Sequence, residues 1–301
     1  MSSYVVAGVT GRVGSAVAGD LLARREAVST VVRDAGRAEA WSRRGATAAV
    51  GSLADAEFLT GALKGASGFF VLLPEDPAAP DFHGARQRMA DAIAAAVRRS
   101  GVPHVAMISS LGADLAEANG PIRGLHYLEN ALRAAGTRLT ALRSSFFQEN
   151  LASVIPAARE AGIYPNFLPS ADVAFPMIAT RDAGRFAAES LVAPPPESET
   201  VDLIGPAYSI RQLADTLGAA LGRKLQIVDI PAAGHVAALT QAGVPRPMAE
   251  AIAELYAALA AGRILPHGSR RRVGATTLDQ VLPGLLAPRA GDQPALARGA
   301  G

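Results

Sequence analysis

The residues best suited to chemistry lie near the start of the chain. Gly8-Val9-Thr10-Gly11-Arg12-Val13-Gly14 joins a short apolar run to an amphipathic segment. Gly8 permits a tight turn, Gly11 lets backbone approach a pyrophosphate with no Cβ in the way, and Gly14 lets a helix pack close to the preceding strand. The helix N-terminus then offers free N–H groups and partial positive charge to phosphate. The spacing is G-x-x-G-x-x-G and no GK[ST] follows, which marks a dinucleotide loop rather than a Walker loop. The next apolar run ends Val31-Val32-Arg33-Asp34. An acid there binds the ribose hydroxyls of NAD, whereas cations suit the 2′-phosphate of NADP. Arg33 comes first, with Arg12 and Arg37 nearby, and three planar guanidinium groups suit a phosphate. Asp34 should point away. The expectation is NADP(H) in preference to NAD(H).

Equally informative is what the chain lacks. With no cysteine among 301 residues there are no disulfides, thiolate metal ligands or thiol nucleophiles. Of 29 lysines and arginines only Lys64 and Lys224 are lysine, so any catalytic lysine must be one of these. The five tyrosines are Tyr4, Tyr127, Tyr164, Tyr208 and Tyr256. No metal site is expected. The net charge is +2, the arginines are scattered among acids, and the run Arg270-Arg271-Arg272 has no interleaved aromatics. That run reads as solvated surface, and no nucleic-acid partner is expected. No apolar run is long enough for a membrane span, and the N-terminus reads as a strand entering a turn rather than a signal peptide. A cytoplasmic protein with a small-molecule substrate is expected, and a homodimer is compatible with this reading.

The elements needed to position these residues follow from patterning. Apolar runs at Tyr4–Val9, Val28–Val32, Ala46–Val50, Gly68–Leu73, Val102–Ser109 and Leu139–Arg143 alternate with helical segments at Val13–Ala23, Gly36–Arg44, Asp55–Leu63, Phe82–Arg99 and Ile122–Ala135. Short uniformly apolar strands separated by helices predict an α/β fold, a doubly wound parallel Rossmann sheet with a smaller C-terminal α/β domain. The first domain is placed at 1–150, with returning segments around 172–204, and the second at 151–301. Within the latter, Asp182 is expected to cap a helix to Leu191, Ser209 to cap a helix stopped by Gly222, and the last ten residues to be disordered.

In such a sheet the ligand lies beyond the carboxyl ends of the strands. Ser52 should flank the adenine, Leu73 and Pro74 the adenosine ribose, and Ser109 and Ser110 the nicotinamide. Phe146, Phe147 and Asn150 should form the far wall, with Leu111 beside the substrate and Tyr164 closing the pocket from the second domain.

GVTGRVG, VVRD, ISSLGAD, LENALRAAG and TALRSSFFQENL together resemble the NmrA-like branch of the atypical short-chain dehydrogenase/reductases. The later blocks IGPAYSIRQLADTLGAALGRKLQIVDIP and LTQAGVPRPMAEAIAELYAAL are similar to its C-terminal region, so the resemblance spans about residues 4–262. That family includes NAD(P)H-dependent quinone oxidoreductases of type 2, triphenylmethane reductases, aromatic ether reductases and regulators that bind dinucleotide without turnover. The resemblance implies that Gly8, Thr10, Gly11, Arg12, Val13 and Gly14 hold phosphates and that Arg33 reads the adenosine phosphate. It places Phe147 and Asn150 in an F-x-x-E-N segment on the nicotinamide side and matches Glu129 to a family glutamate. The chain also departs from the family. The Tyr-x-x-x-Lys pair of standard short-chain reductases is impossible here, since no lysine lies between Lys64 and Lys224, and the lysine of the ether reductases is missing too. His126 lies one place off the family's histidine, and Ser52 stands where many relatives carry an acid.

Hydride transfer to an electron-poor carbon needs no strong acid, so quinones, imines, cationic dyes and conjugated enones remain as acceptors. His126 and Tyr127 are the candidate proton donors. The leading expectation is an NADPH-dependent oxidoreductase acting on an aromatic, quinone-like or conjugated carbonyl compound. An NAD(P)-sensing regulator without turnover, and non-redox isomerase chemistry on a bound cofactor, stay open at this point.

Overall fold

A computed structural model describes residues 2–287; the ten residues expected to be disordered lie outside that range. The first half contains β1 (Ser3–Val6), α1 (Arg12–Ala23), β2 (Ala27–Val32), α2 (Ala35–Ser42), β3 (Thr47–Val50), α3 (Ala56–Leu63), β4 (Gly68–Val71), α4 (Phe82–Ser100), β5 (His104–Ser110), α5 (Ile122–Ala134) and β6 (Arg138–Ser144). Then come β7 (Phe146–Phe147), a 3-10 helix (Gln148–Ser153), α6 (Ile155–Glu160), β8 (Ile163–Asn166), β9 (Phe175–Ile178), α7 (Thr180–Val192), β10 (Glu199–Ile204), β11 (Ala207–Tyr208), α8 (Ile210–Ala220), β12 (Gln226–Asp229), α9 (His235–Gln241), α10 (Arg246–Ala260), β13 (Arg270–Val273) and α11 (Leu278–Leu286).

Eight strands form one sheet in the order β3-β2-β1-β4-β5-β6-β10-β13, with every neighbouring pair parallel. The expected α/β class and doubly wound sheet are therefore present. Successive side chains of a strand point to opposite faces, and a sheet covered on both faces must be apolar on both. Tyr4, Val6 and Phe70 accordingly pack with Val13, Val17 and Leu21 of α1 and Phe186 and Leu191 of α7. Val5, Ala7, Phe69 and Val71 pack with Leu59 of α3, Ile93 of α4 and Leu128 of α5. A separate core joins Leu151, Tyr164, Leu213, Leu217 and Leu282. It is ringed by the parallel pair β8–β12 and the small sheet β11-β9-β7.

The structure corrects three details. The Arg270-Arg271-Arg272 run is the edge strand β13, paired in register with Val201–Ile204 of β10. Arg270 pairs with Glu199 at 2.8 Å, and Arg272 bonds Glu189 and lies over the Phe186 ring at 4.2 Å. Charged residues are what an exposed sheet edge uses to discourage further pairing, so the run is a strand as well as a surface. Secondly, α7 begins at Thr180; Asp182 sits inside its first turn, where Oδ2 accepts the Thr276 N–H at 2.9 Å. Thirdly, a helix that the patterning did not assign, α11, follows Gly274 and is started by a capping box of Thr277 and Gln280. Ser209 caps α8 with Gln212 as expected, and Gly222 takes the left-handed conformation after it. No helix among the described residues is long and apolar enough to cross a membrane.

Candidate functional site

The loop between β1 and α1 is built for close approach. Gly8 has φ +68°, in the left-handed region that favours glycine, and a Cβ on Gly14 would lie 2.4 Å from the Gly8 carbonyl oxygen. Helix α1 therefore starts hard against the loop. Gly11 is its N-cap, no side chain caps it, and no acid occupies its first turn. The first backbone N–H groups of α1 thus have no intrahelical acceptor and no carboxylate competing for them. Thr10, Gly11 and Arg12 are exposed at this end, while Val13 is buried in the core and can offer only its backbone N–H. These features fit a pyrophosphate.

At the end of β2, Arg33 is exposed and makes no ion pair among the described residues. Asp34 is the N-cap of α2: Oδ1 accepts the Arg37 N–H at 2.9 Å, and Oδ2 lies 3.3 Å from Arg37 Nε. The one acid here is thus occupied by its own helix.

Beyond the carboxyl ends of β4, β5 and β6 lies a cavity of about 430 Å³. Leu73, Ser109, Ser110, Leu111, Phe146, Phe147 and Asn150, all singled out from the sequence, line it. Its outer wall comes from Leu255 and Leu259 of α10 with Ile264, Leu265 and Pro266 after it. Sequence reasoning missed that wall, because nothing in an apolar stripe says which cleft it covers.

Behind the cavity floor, Ser109 Oγ donates to Glu129 Oε1 at 2.6 Å. Arg143 grips the same carboxylate with Nε at 3.0 Å and Nη2 at 2.9 Å. Burial works against the Arg143 charge, but the hydrogen bonds and charge of Glu129 outweigh it and hold its pKa above the ordinary arginine value. This locked trio ties β5, α5 and β6 together at the floor. Two further serine protons are spent on the backbone, Ser110 on Leu111 O at 3.0 Å and Ser144 on Ser109 O at 3.3 Å. Ser145 differs. Its Oγ is buried and has no hydrogen-bond partner among the described residues.

The segment carrying Phe146, Phe147 and Asn150 is pinned from behind. Gln148 Nε2 donates to Thr276 O at 2.7 Å. Glu149 is buried, and both its oxygens accept the Thr180 N–H, each at 3.0 Å. A carboxylate thereby caps α7 from outside that helix. The FFQEN run thus alternates between residues facing the cavity and residues anchoring it.

Three other predicted site residues sit off the cavity. Tyr127 donates its hydroxyl to Asp91 Oδ1 at 2.7 Å, which raises its pKa, and does not border the cavity. His126 is off it too. Its Nδ1–H meets the Ala113 carbonyl at 2.8 Å, which leaves Nε2 to accept from Asn130 Nδ2 at 2.9 Å, so both ring nitrogens are used. Tyr164 is buried in the second core rather than on the cleft, and burial pushes its pKa up. Ser52 is exposed after β3 and its Oγ accepts the Ala54 N–H at 3.2 Å. Pro74 is half-buried between the lining residues Leu73 and Glu75. Among the described residues no His/Asp/Glu cluster could hold a metal.

This architecture has relatives. The NAD(P)H azoreductase of Xenophilus azovorans is 31% identical over 257 residues, 84% of this chain and 86% of that one. Quinone oxidoreductase 2 of Escherichia coli is 26% identical over 83% of this chain and 85% of that protein. Among solved structures, the triphenylmethane reductase of a Citrobacter species complexed with NADP(H) superposes with a TM-score of 0.73 at 22% identity, covering 89% of this chain and 92% of that one, a likeness of fold. The pattern of the NmrA-like family matches residues 2–264, and the chain belongs to that family.

Proposed function

We propose that this protein is an NADPH-dependent oxidoreductase that reduces aromatic, quinone-like or conjugated acceptors. The observation that carries the reading is the continuity of two features along one row of strand ends. A helix N-terminus fitted to a pyrophosphate lies at β1, and an apolar cavity floored by serines lies at β4–β6. The names of the azoreductase and quinone oxidoreductase relatives agree with it.

In this reading the α1 N-terminus and Gly8–Gly14 hold the pyrophosphate, and Arg33, with Arg12 and Arg37, meets the 2′-phosphate. When bound, the cofactor supplies a hydride from nicotinamide C4. Phe147, Asn150, Ser109 and Ser110 border the nicotinamide, and Leu111 and Phe146 hold the acceptor ring. For a quinone, one hydride and one proton give the hydroquinone, with the dinucleotide oxidised. Neither His126 nor Tyr127 is placed to help. Ser145 is the lining serine whose hydroxyl proton is uncommitted; its Oγ is buried, so in this reading the hydroxyl turns into the cavity when the acceptor binds and donates a hydrogen bond to the oxygen or nitrogen where charge develops, and water delivers the proton. Excluding bulk water and fixing the ring against C4 supply the rest.

The test is NADPH oxidation followed at 340 nm with a panel of quinones, azo compounds and triphenylmethane dyes. Acceptor-dependent oxidation with balanced product formation is expected. Tight NADPH binding without turnover on any acceptor would overturn it.

A further inference from the structure

Arg86, on α4, borders the cavity with its side chain only 3% exposed. Its Nη1 donates to Glu75 Oε1 at 2.9 Å, while Nε has no acceptor among the described residues. A guanidinium carries five N–H donors, so a single carboxylate leaves it under-satisfied, and buried unsatisfied donors are costly. The fold makes room for it. A Cβ on Gly124 of α5 would lie 2.5 Å from Arg86 Nε, so the guanidinium packs directly against that helix in space a side chain at 124 would contest. The two charges of the pair are not equally placed either. Glu75 is 37% exposed and screened by water, whereas Arg86 is not. Arg86 and Glu75 are the only charged residues lining the cavity among the described residues, and the cation is the buried member of the pair.

We propose that Arg86 is a specificity-determining residue that selects aromatic acceptors bearing an anionic oxygen group, such as a sulfonate, carboxylate or phenolate, and disfavours cationic ones. The inference rests on the reading of this cavity as the acceptor site. Arg86 lies at the β4 side of the cavity, and Arg33 at the end of β2, so the anion it meets belongs to the acceptor and not to the adenosine phosphate. A planar fork suits such oxygens. Removing the guanidinium leaves Glu75 as the cavity's charged residue and inverts the preference.

The experiment compares wild type, Arg86→Met and Arg86→Lys with three acceptors: 1,2-naphthoquinone-4-sulfonate, neutral menadione and cationic crystal violet. For Arg86→Met, KM for the sulfonate should rise at least about tenfold. Menadione should change little, KM for crystal violet should fall, and NADPH affinity should hold. Arg86→Lys keeps the charge and should retain the preference for sulfonate over dye. Should the Met variant not fold, Arg86→Gln reads the same contrast. Equal losses on all three acceptors, or a matching loss of NADPH affinity, would overturn the proposal. If wild type turns over none of them and no azo compound of the wider panel, the reductase reading fails by itself. Calorimetric binding of the sulfonate to the NADP⁺-loaded protein then still decides the role of Arg86: weaker binding to Arg86→Met supports it, and equal binding sinks it.

Discussion

Glu149 and Thr180 lie 31 residues apart, yet both oxygens of the Glu149 carboxylate accept the Thr180 backbone N–H at 3.0 Å, and the Thr180 hydroxyl donates to the same group. One buried side chain therefore both starts α7 and fixes the segment that presents Phe147 and Asn150 to the cavity. Replacing Glu149 with alanine removes a charged cap and leaves the N-terminus of α7 unsatisfied, which should cost about 2–3 kcal/mol of stability. Glu149→Gln should cost less, since one amide oxygen still accepts. Thermal unfolding of the three proteins should rank wild type, Gln, Ala, and KM for the acceptor should rise in the same order. An unchanged Tm in Glu149→Ala would mean that α7 does not depend on this cap.

Cofactor preference should reside in Arg33. It is exposed at the end of β2 and free of the carboxylate that engages Arg37. Losing one charge-assisted contact to a 2′-phosphate should weaken NADPH binding by roughly 10- to 100-fold. NADH has no such phosphate and should bind Arg33→Ala as it binds wild type. Arg37→Ala should have a smaller effect, because its side chain already faces Asp34. Parallel losses for both cofactors in Arg33→Ala would remove Arg33 from the phosphate site.

His104, at the start of β5, is fully buried, with Nε2 3.0 Å from Thr140 Oγ1 and no partner for Nδ1. Burial, helped by the nearby Arg138, pushes its pKa down to about 4. The unfolded chain takes up a proton on this group below about pH 6.5, which the folded chain refuses until about pH 4. Its contribution is therefore complete above pH 6.5 and is lost as pH falls towards 4, on the order of 3 kcal/mol in total. His104→Asn should unfold with a flatter pH dependence than wild type over that interval. Parallel Tm curves from pH 7 to pH 4 would contradict this.

His126 and Tyr127 show where sequence reasoning stops. Both lie on α5 and are chemically able to donate protons, but residue type does not report which way a helical side chain points. His126→Phe should lose about 1 kcal/mol of stability through the Ala113 contact. Tyr127→Phe should lose less, its hydroxyl partner being exposed. Turnover should stay within roughly twofold in both. A large kcat loss in either would return that residue to the reaction.

The alternating strands of the first half were legible because a sheet buried on both faces demands uniformly apolar runs such as Phe69-Phe70-Val71. The glycine loop was legible because Gly8 takes a left-handed φ and Gly14 packs against its carbonyl only six residues on, so both demands are local. Strand β13 was hidden, since Arg-Arg-Arg has no apolar alternation and becomes a strand only by pairing with β10. Arg86 left a faint signal. It occupies the apolar stripe of α4 formed by Phe82, Ala90, Ile93 and Val97, where a charge has no reason to be unless something meets it. The functions of Gln148 and Glu149 could not be read at all, because their partners Thr276 and Thr180 are distant in sequence.

The hydroxyl inventory of the cavity leads to the most direct test of the proposed chemistry. Ser109 gives its proton to Glu129, Ser110 to the Leu111 carbonyl and Ser144 to the Ser109 carbonyl. Ser145 Oγ alone among the lining serines lacks a partner among the described residues. A serine is far too weak an acid to protonate the acceptor, so its action is a hydrogen bond that strengthens as negative charge develops. Such a contact lowers the barrier without greatly changing acceptor binding. Ser145→Ala should therefore reduce kcat by roughly 10- to 100-fold with KM nearly unchanged, whereas Ser145→Thr, which keeps the hydroxyl, should retain more of the rate. The loss should be largest for quinones, whose oxygen takes up the charge, and smallest for cationic dyes, whose central carbon is neutralised by the hydride itself. If Ser145→Ala slows every acceptor alike, the hydroxyl serves the cofactor or the packing of the floor, and charge stabilisation at the acceptor must come from water.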